Sequence, residues 1–320
     1  MHIKGWLCFL IFLVIAGCAD REQIPDEILK IPVQIELIRF DREFANAEPS
    51  ALQALKGKYP YLFPPAYSDS IWIAKMKDTL QRELLSEVGQ AFGEMDETLT
   101  ELELFYKHVA YYFPESRPPK VITVTSDVDY RNRVILTDSL LLIGLDNYLG
   151  SDHRFYEGID RYIAKGLDRK YLISDVAAAF AKKVNPYPKD RTFLAQMIYY
   201  GRELYLKDLL TPFISDERKI GYSEEELNWA MANEEQIWRY FIERELLYNT
   251  DNQLGPRFLD PAPFSKFRLD LDSESPGRIG RYIGWQIVRA FMEKNNISLQ
   301  QLLQTPEAEV FRRSNYKPKR

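Results

Sequence analysis

The sequence predicts an α+β protein, predominantly α-helical, with one small β-sheet. Three observations lead there. Apolar residues recur at helical spacing through most of the chain, and from Ile159 onward the pattern is helical, interrupted by loops. β-formers gather in a single window, Lys120 to Leu145, with one alternating run before it at Val33 to Phe40. The 320 residues are 46% hydrophobic, 13% aromatic and 28% charged, which is the balance of a chain that buries a core. The net charge of −5 is spread over both signs with no basic stripe, so the electrostatic footprint of a nucleic-acid binder is missing.

Residues 1–17 read as a lipoprotein signal peptide. Lys4 is the positive start, and Trp6 to Ile15 is an apolar run well short of the ~20 residues that a spanning helix needs. The run ends in Ile15-Ala16-Gly17-Cys18, which resembles a bacterial lipobox and makes Cys18 the expected site of lipidation. Cleavage there removes Cys8, leaves Cys18 as the only cysteine, and so excludes an internal disulfide. Residues 18–30 are polar and read as a lipid-anchored tether. Residues 31–320 contain no repeat and no low-complexity linker, and read as one globular domain.

Within that domain, Val33, Ile35 and Leu37 alternate as a strand does. Pro49 to Lys58 is a short helix, closed by the aromatic run Tyr59 to Pro65, whose side chains need burial. Met76 to Phe92 and Glu97 to Tyr112 read as two helices. The first carries Leu80, Leu84, Val88 and Phe92 on its stripe. Pro114 stops the second. Val121 to Thr125, Val134 to Leu136 and Leu140 to Ile143 are strands, with Asp127 to Asn132 as the turn between the first two. Leu172 to Val184 is a helix broken by Asn185-Pro186-Tyr187-Pro188. Two long helices follow between Thr192 and Tyr248. The second opens at Ser223, with Glu226 three residues on as a capping box. Thr250 to Ser275 is a loop, Arg278 to Lys294 a helix, Ser298 to Leu303 the start of another, and the chain ends in a basic tail.

The residues that could carry chemistry are few. A zinc site needs two His on one helical face, yet Tyr200-Gly201-Arg202-Glu203-Leu204-Tyr205-Leu206 has none, and Arg cannot ligate zinc. Glu203 points about half a turn from the stripe of Gly201 and Tyr205, which predicts an outward side chain. Glu234 lies on the apolar face between Met231 and Trp238, so it needs a partner. The candidates are Arg202, Arg278 and Arg281, in a buried ion pair or a structural hydrogen bond. The alternative is an open groove in which Glu234 meets a ligand. Asp127, Asp129 and Asn132, and likewise Asp270, Asp272 and Glu274, lack the glycine and distal glutamate of an EF-hand and read as solvated turn residues. His153, with Asp146, Asp152 and Tyr156 nearby, has no presented nucleophile, since no Gly-x-Ser-x-Gly exists. His108 is a packed residue. Gly280-x-x-x-Gly284 marks close approach of another helix.

Several stretches in order resemble the gliding motility-associated lipoprotein GldB family of Bacteroidetes. They are Leu142-Ile143-Gly144-Leu145-Asp146-Asn147-Tyr148-Leu149-Gly150, Asn233-Glu234 with Ile237-Trp238, Ala262-Pro263-Phe264-Ser265, and Ser275-Pro276-Gly277-Arg278-Ile279-Gly280 with Ile283-Gly284. Arg39-Phe40-Asp41 and Ser314-Asn315-Tyr316-Lys317-Pro318 match as well. The resemblance implies a membrane-anchored lipoprotein of the bacterial cell envelope, periplasm-facing or on the outer membrane. It also implies a zincin-like core, of degenerate metallopeptidase type, without its metal ligands. Only Cys18 carries over with a role. The expected function is support of gliding motility or an associated secretion machinery through contacts with other envelope proteins. No catalysis, metal or cofactor is expected. A carboxylate-dependent hydrolase and a peptide- or glycan-binding lipoprotein are the alternatives.

Overall fold

Helices account for 57% of the chain and strands for 6%, so the α+β, mostly helical expectation holds. The structure is a computed structural model and describes residues 24–270 and 272–319. The signal peptide and Cys18 lie outside the described residues.

The described residues begin with α1 (Asp26–Leu29), β1 (Leu37–Ile38), α2 (Phe40–Ala45), α3 (Leu52–Lys58), α4 (Asp69–Lys77), α5 (Thr79–Phe92) and α6 (Asp96–Tyr112). The sheet is completed by β2 (Lys120–Val124), β3 (Val134–Leu136) and β4 (Leu140–Gly144). Next come α7 (Arg161–Ala164), α8 (Leu172–Val184), α9 (Phe193–Leu210), α10 (Asp216–Ile220), α11 (Glu224–Ala232) and α12 (Glu234–Glu243). The chain closes with α13 (Leu254–Phe258), α14 (Ile279–Lys294), α15 (Leu299–Gln304) and α16 (Glu307–Ser314).

The four strands run in the order β1-β2-β4-β3. β1 and β4 flank β2 in parallel, and β3 is antiparallel to β4. Because strand side chains alternate between faces, this sheet is a partition. Val121, Leu141 and Ile143 join the large helical core. Ile122, Val124, Leu140 and Leu142 face a smaller cluster built on Phe40, Phe44, Tyr59 and Phe63. The aromatic run at Tyr59 is thereby packed as its composition requires, with Tyr59 and Phe63 both buried.

Four sequence expectations are corrected. Asp26–Leu29, assigned to the tether, is a helical turn seated on α6. Ile28 is buried, Lys107 Nζ donates to Leu29 O at 2.5 Å and Tyr111 OH donates to Glu27 Oε1 at 2.8 Å. The Met76 to Phe92 helix is two helices, because Asp78 adopts an extended backbone and caps α5 by accepting from Gln81 N at 2.8 Å. Leu80 then faces solvent, 58% exposed, rather than lying on the stripe. The helix from Ser223 keeps its capping box but ends at Ala232, and α12 begins afresh after Asn233. The basic tail is preceded by α16, whose start after Pro306 the sequence reading passed over.

The centre of the fold is the crossing of α9 and α14. A Cβ added at Gly284 would lie 1.9 Å from Met197 O, and one at Gly201 would lie 2.2 Å from Gly284 O. The two backbones are in direct contact, as the Gly280-x-x-x-Gly284 spacing leads one to expect. α9 is enclosed as a result, with both charged and apolar side chains buried around its circumference.

This contact makes a stability prediction. Gly284→Ala forces the helices apart and should cost on the order of 3 kcal/mol, seen as a fall in Tm of roughly 6–12 °C. Gly89→Ala, inside α5, meets nothing within 4 Å and should stabilise by up to ~1 kcal/mol. Thermal unfolding that moved both variants by the same amount would contradict the close contact.

Candidate functional site around Glu234

Glu234 is the first residue of α12, and the break before it is what turns it inward. Asn233 sits at φ −110° and ψ 12°, and its Nδ2 donates to Trp229 O at 2.8 Å, ending α11. The new axis brings Glu234 to 1% exposure. Its carboxylate accepts three hydrogen bonds. Tyr282 OH of α14 donates to Oε2 at 2.8 Å, Tyr316 OH to Oε1 at 2.8 Å, and the backbone N–H of Lys319 to Oε1 at 3.1 Å. Burial, reinforced by the neighbouring carboxylate, pushes both phenols well above the ordinary tyrosine range, so they stay protonated as donors.

The last residues therefore form a strap across the site. Tyr316 stands edge-on to Trp238 at 5.1 Å. Lys294 Nζ holds Ser314 O at 2.8 Å and Asn315 O at 3.0 Å, which fixes the strap where it leaves α16. The question of whether Glu234 meets an arginine or an open groove has a different answer: it meets two phenols and the chain's own end.

The three arginines considered as partners go elsewhere. Arg202, 1% exposed, pairs with Glu307 of α16 at 2.9 Å and donates to Thr305 O, while its Nε has no acceptor. Arg278 stands in the left-handed region ahead of α14, donates to Gly221 O at 2.9 Å and lies over the Tyr222 ring. Arg281 stacks on Tyr200 at 3.8 Å and donates to Leu259 O. Glu234, Arg202 and Arg278 thus belong to three separate arrangements. The 3.6-residue period assigns faces and says nothing about which distant side chain meets them.

The expectation for Glu203 also fails. It is buried at 7% exposure, because α9 has no solvent side once α14 presses on it, and its Oε2 has no hydrogen-bond partner. One turn on, Lys207 is buried and donates to Ser174 Oγ at 3.1 Å and Lys219 O at 2.9 Å. Asp208, at the end of the same helix, is tied by Trp285 Nε1 at 2.8 Å, by Arg289 through two bonds, and by Lys219 at 3.1 Å. Among the described residues no group of three or more His, Cys, Asp or Glu is placed to hold a metal ion.

The loop carboxylates bond within the protein, but Asp127 keeps the solvent exposure expected of it, its side chain 59% exposed, whereas Asp272 and Asp146 are held by backbone donors. Asp127 binds Lys75 at 2.9 Å and Gln81. Asp272 accepts from the backbone N–H groups of Phe267, Arg268 and Leu269. Asp146 is fully buried and accepts from Ser126 N and, at 2.7 Å, from Val128 N. Those bonds hold Asp127 and Val128 at φ 57° and 58°, a left-handed pair that is costly for a β-branched residue. Burial raises the Asp146 pKa and the backbone donors oppose it. Tyr156 completes the loop by donating to Asp146 O at 2.8 Å and accepting from Leu149 N. His153 accepts from Phe155 N and stacks on that ring. His108 is buried as expected, with Nδ1 2.7 Å from Leu104 O and its pKa lowered by burial.

A family model described as gliding motility protein GldB matches residues 21–318. The chain belongs to the GldB family. Membership implies a gliding-motility-related lipoprotein and suggests placement in the cell envelope alongside other motility components. No curated protein and no solved structure matches this chain. The zincin-like core implied by the resemblance is not supported: Arg202 and Glu234 are bonded to other elements of the fold, and Glu203 is buried with no partner for its Oε2. Among the described residues no helix is long and apolar enough to cross a membrane.

Lys207 makes the pH dependence testable. Burial lowers its pKa from 10.5 to about 8. Below the lower value the ammonium is charged in both the folded and the unfolded chain, at a desolvation cost of about 3 kcal/mol to the fold. Between the two values only the unfolded chain holds the proton, so the stability passing through this residue rises with pH. Lys207→Met should be more stable than the parent at pH 7, and the gap in Tm should shrink as the pH approaches 10. A gap of constant size would show that Lys207 carries no such penalty.

Proposed function

We propose that the chain is a non-catalytic envelope lipoprotein, anchored by lipid on Cys18, that supports gliding motility or an associated secretion machinery through contacts with other envelope proteins. The observation that carries this reading is the state of Glu234. Its carboxylate is satisfied by Tyr282, Tyr316 and Lys319 and lies beneath the C-terminal strap. A general acid or base must reach the substrate's proton, and this carboxylate instead fastens α12, α14 and the chain's end to one another. Arg202, bound to Glu307, does the same for α9 and α16.

The test is Glu234→Gln in cells. The amide keeps the shape and removes the charge. It should cost about 1–2 kcal/mol of stability and leave motility intact wherever the protein remains at normal abundance. Loss of motility at unchanged protein level and unchanged fold would overturn the reading in favour of chemistry at Glu234.

A further inference from the structure

The break between α8 and α9 carries an exposed tyrosine. Asn185-Pro186-Tyr187-Pro188 leaves α8 with Asn185 buried and donating through Nδ2 to Tyr199 O at 3.0 Å. That bond fastens the segment to α9. Pro186 and Pro188 fix φ on either side of Tyr187. The tyrosine between them is 67% exposed and stands edge-on to Tyr199 at 5.0 Å. The ring is thereby held at a fixed place on the surface, with apolar area and a hydroxyl both open to a partner.

The ring borders a pocket of about 480 Å³. Its opposite wall is α15, where Gln300 and Gln304 face it one helical turn apart. Gln300 Nε2 is bonded to Tyr112 O, which leaves its carbonyl oxygen as an acceptor, and Gln304 has both donors and acceptor available. Lys182 and Lys183 add cations to the lining, the second paired with Asp138. One face of the pocket is aromatic, the other is a row of neutral amides, and no carboxylate lines it.

We propose that this pocket binds a saccharide unit of an envelope glycan. A pyranose has an apolar C–H face that stacks on a tyrosine ring and an edge of hydroxyls that each both donate and accept. Glutamine amides offer the complementary pair of donor and acceptor, and the pocket volume lies in the range of small-ligand sites. A proline-rich peptide would instead require an aromatic-lined groove, and here a single exposed tyrosine stands against polar amides. The pocket shares no lining residue with the Glu234 strap, and its occupancy is independent of the partner-contact reading.

Saturation-transfer NMR on the full-length protein, with N,N′-diacetylchitobiose, cellobiose and hexaproline as separate probes at millimolar concentration, tests the proposal. Transfer should appear for at least one disaccharide, strongest at the ring C–H protons that stack on Tyr187. Tyr187→Ala should weaken binding about tenfold or more with Tm unchanged, and Gln304→Ala should weaken it less. No transfer to either disaccharide, binding of hexaproline alone, or equal saccharide binding by Tyr187→Ala would each overturn it.

Discussion

The structure depends on one contact, the backbone-to-backbone approach of α9 and α14 through Gly201 and Gly284. A side chain at either position would hold the two helices apart. With both absent, α9 sinks into the core until its polar side chains have no water to reach. Arg202, Glu203 and Lys207 are buried for this reason, and each must find what satisfaction the neighbouring elements offer. The same approach sets the register of α14. Tyr282 falls opposite Glu234 and Trp285 reaches Asp208 because both are fixed relative to Gly284. The buried polar interactions of the helical body are consequences of that register rather than independent features.

A second constraint comes from the sheet. By alternating side chains, β2 and β4 separate the helical core from the aromatic cluster of α2, α3 and α4. The sheet is held at its end by Asp146, whose carboxylate gathers the backbone of Ser126 and Val128 into a left-handed turn. Strained turns of this kind cluster at functional positions, but here every polar contact of the carboxylate points back into the protein's own loops. The turn secures the edge between sheet and helices, which is a structural use of a strongly patterned segment.

Much of the fold was legible in the sequence. Runs of Val, Ile and Leu marked β2, β3 and β4, and of the alternating run at Val33 to Phe40 only Leu37–Ile38 is strand; the Ser223 capping box marked the start of α11, and two glycines four apart marked the helix crossing. What periodicity could not supply was enclosure. Glu203 is half a turn from the apolar stripe and so reads as outward, yet a helix packed on all sides has no outward face. Partners were also hidden, since Tyr282 and Tyr316 lie 48 and 82 residues from Glu234. The break at Asn233 has only a side-chain hydrogen bond as its signal. α16 was missed because its charged sequence buries little beyond Val310 and Ser314. Lipidation at Cys18, read from the lipobox, lies outside the described residues.

Membership in the GldB family and the sealed state of Glu234 together make an account in which this protein works by what it touches. The most direct test is photo-crosslinking of the native lipoprotein in its own envelope, followed by identification of the adducts. The account predicts discrete, reproducible adducts with other envelope proteins of the motility or secretion machinery, retained when Glu234 is replaced by Gln. Adducts confined to the protein itself, or adducts lost with the Glu234 carboxylate while the fold persists, would contradict it.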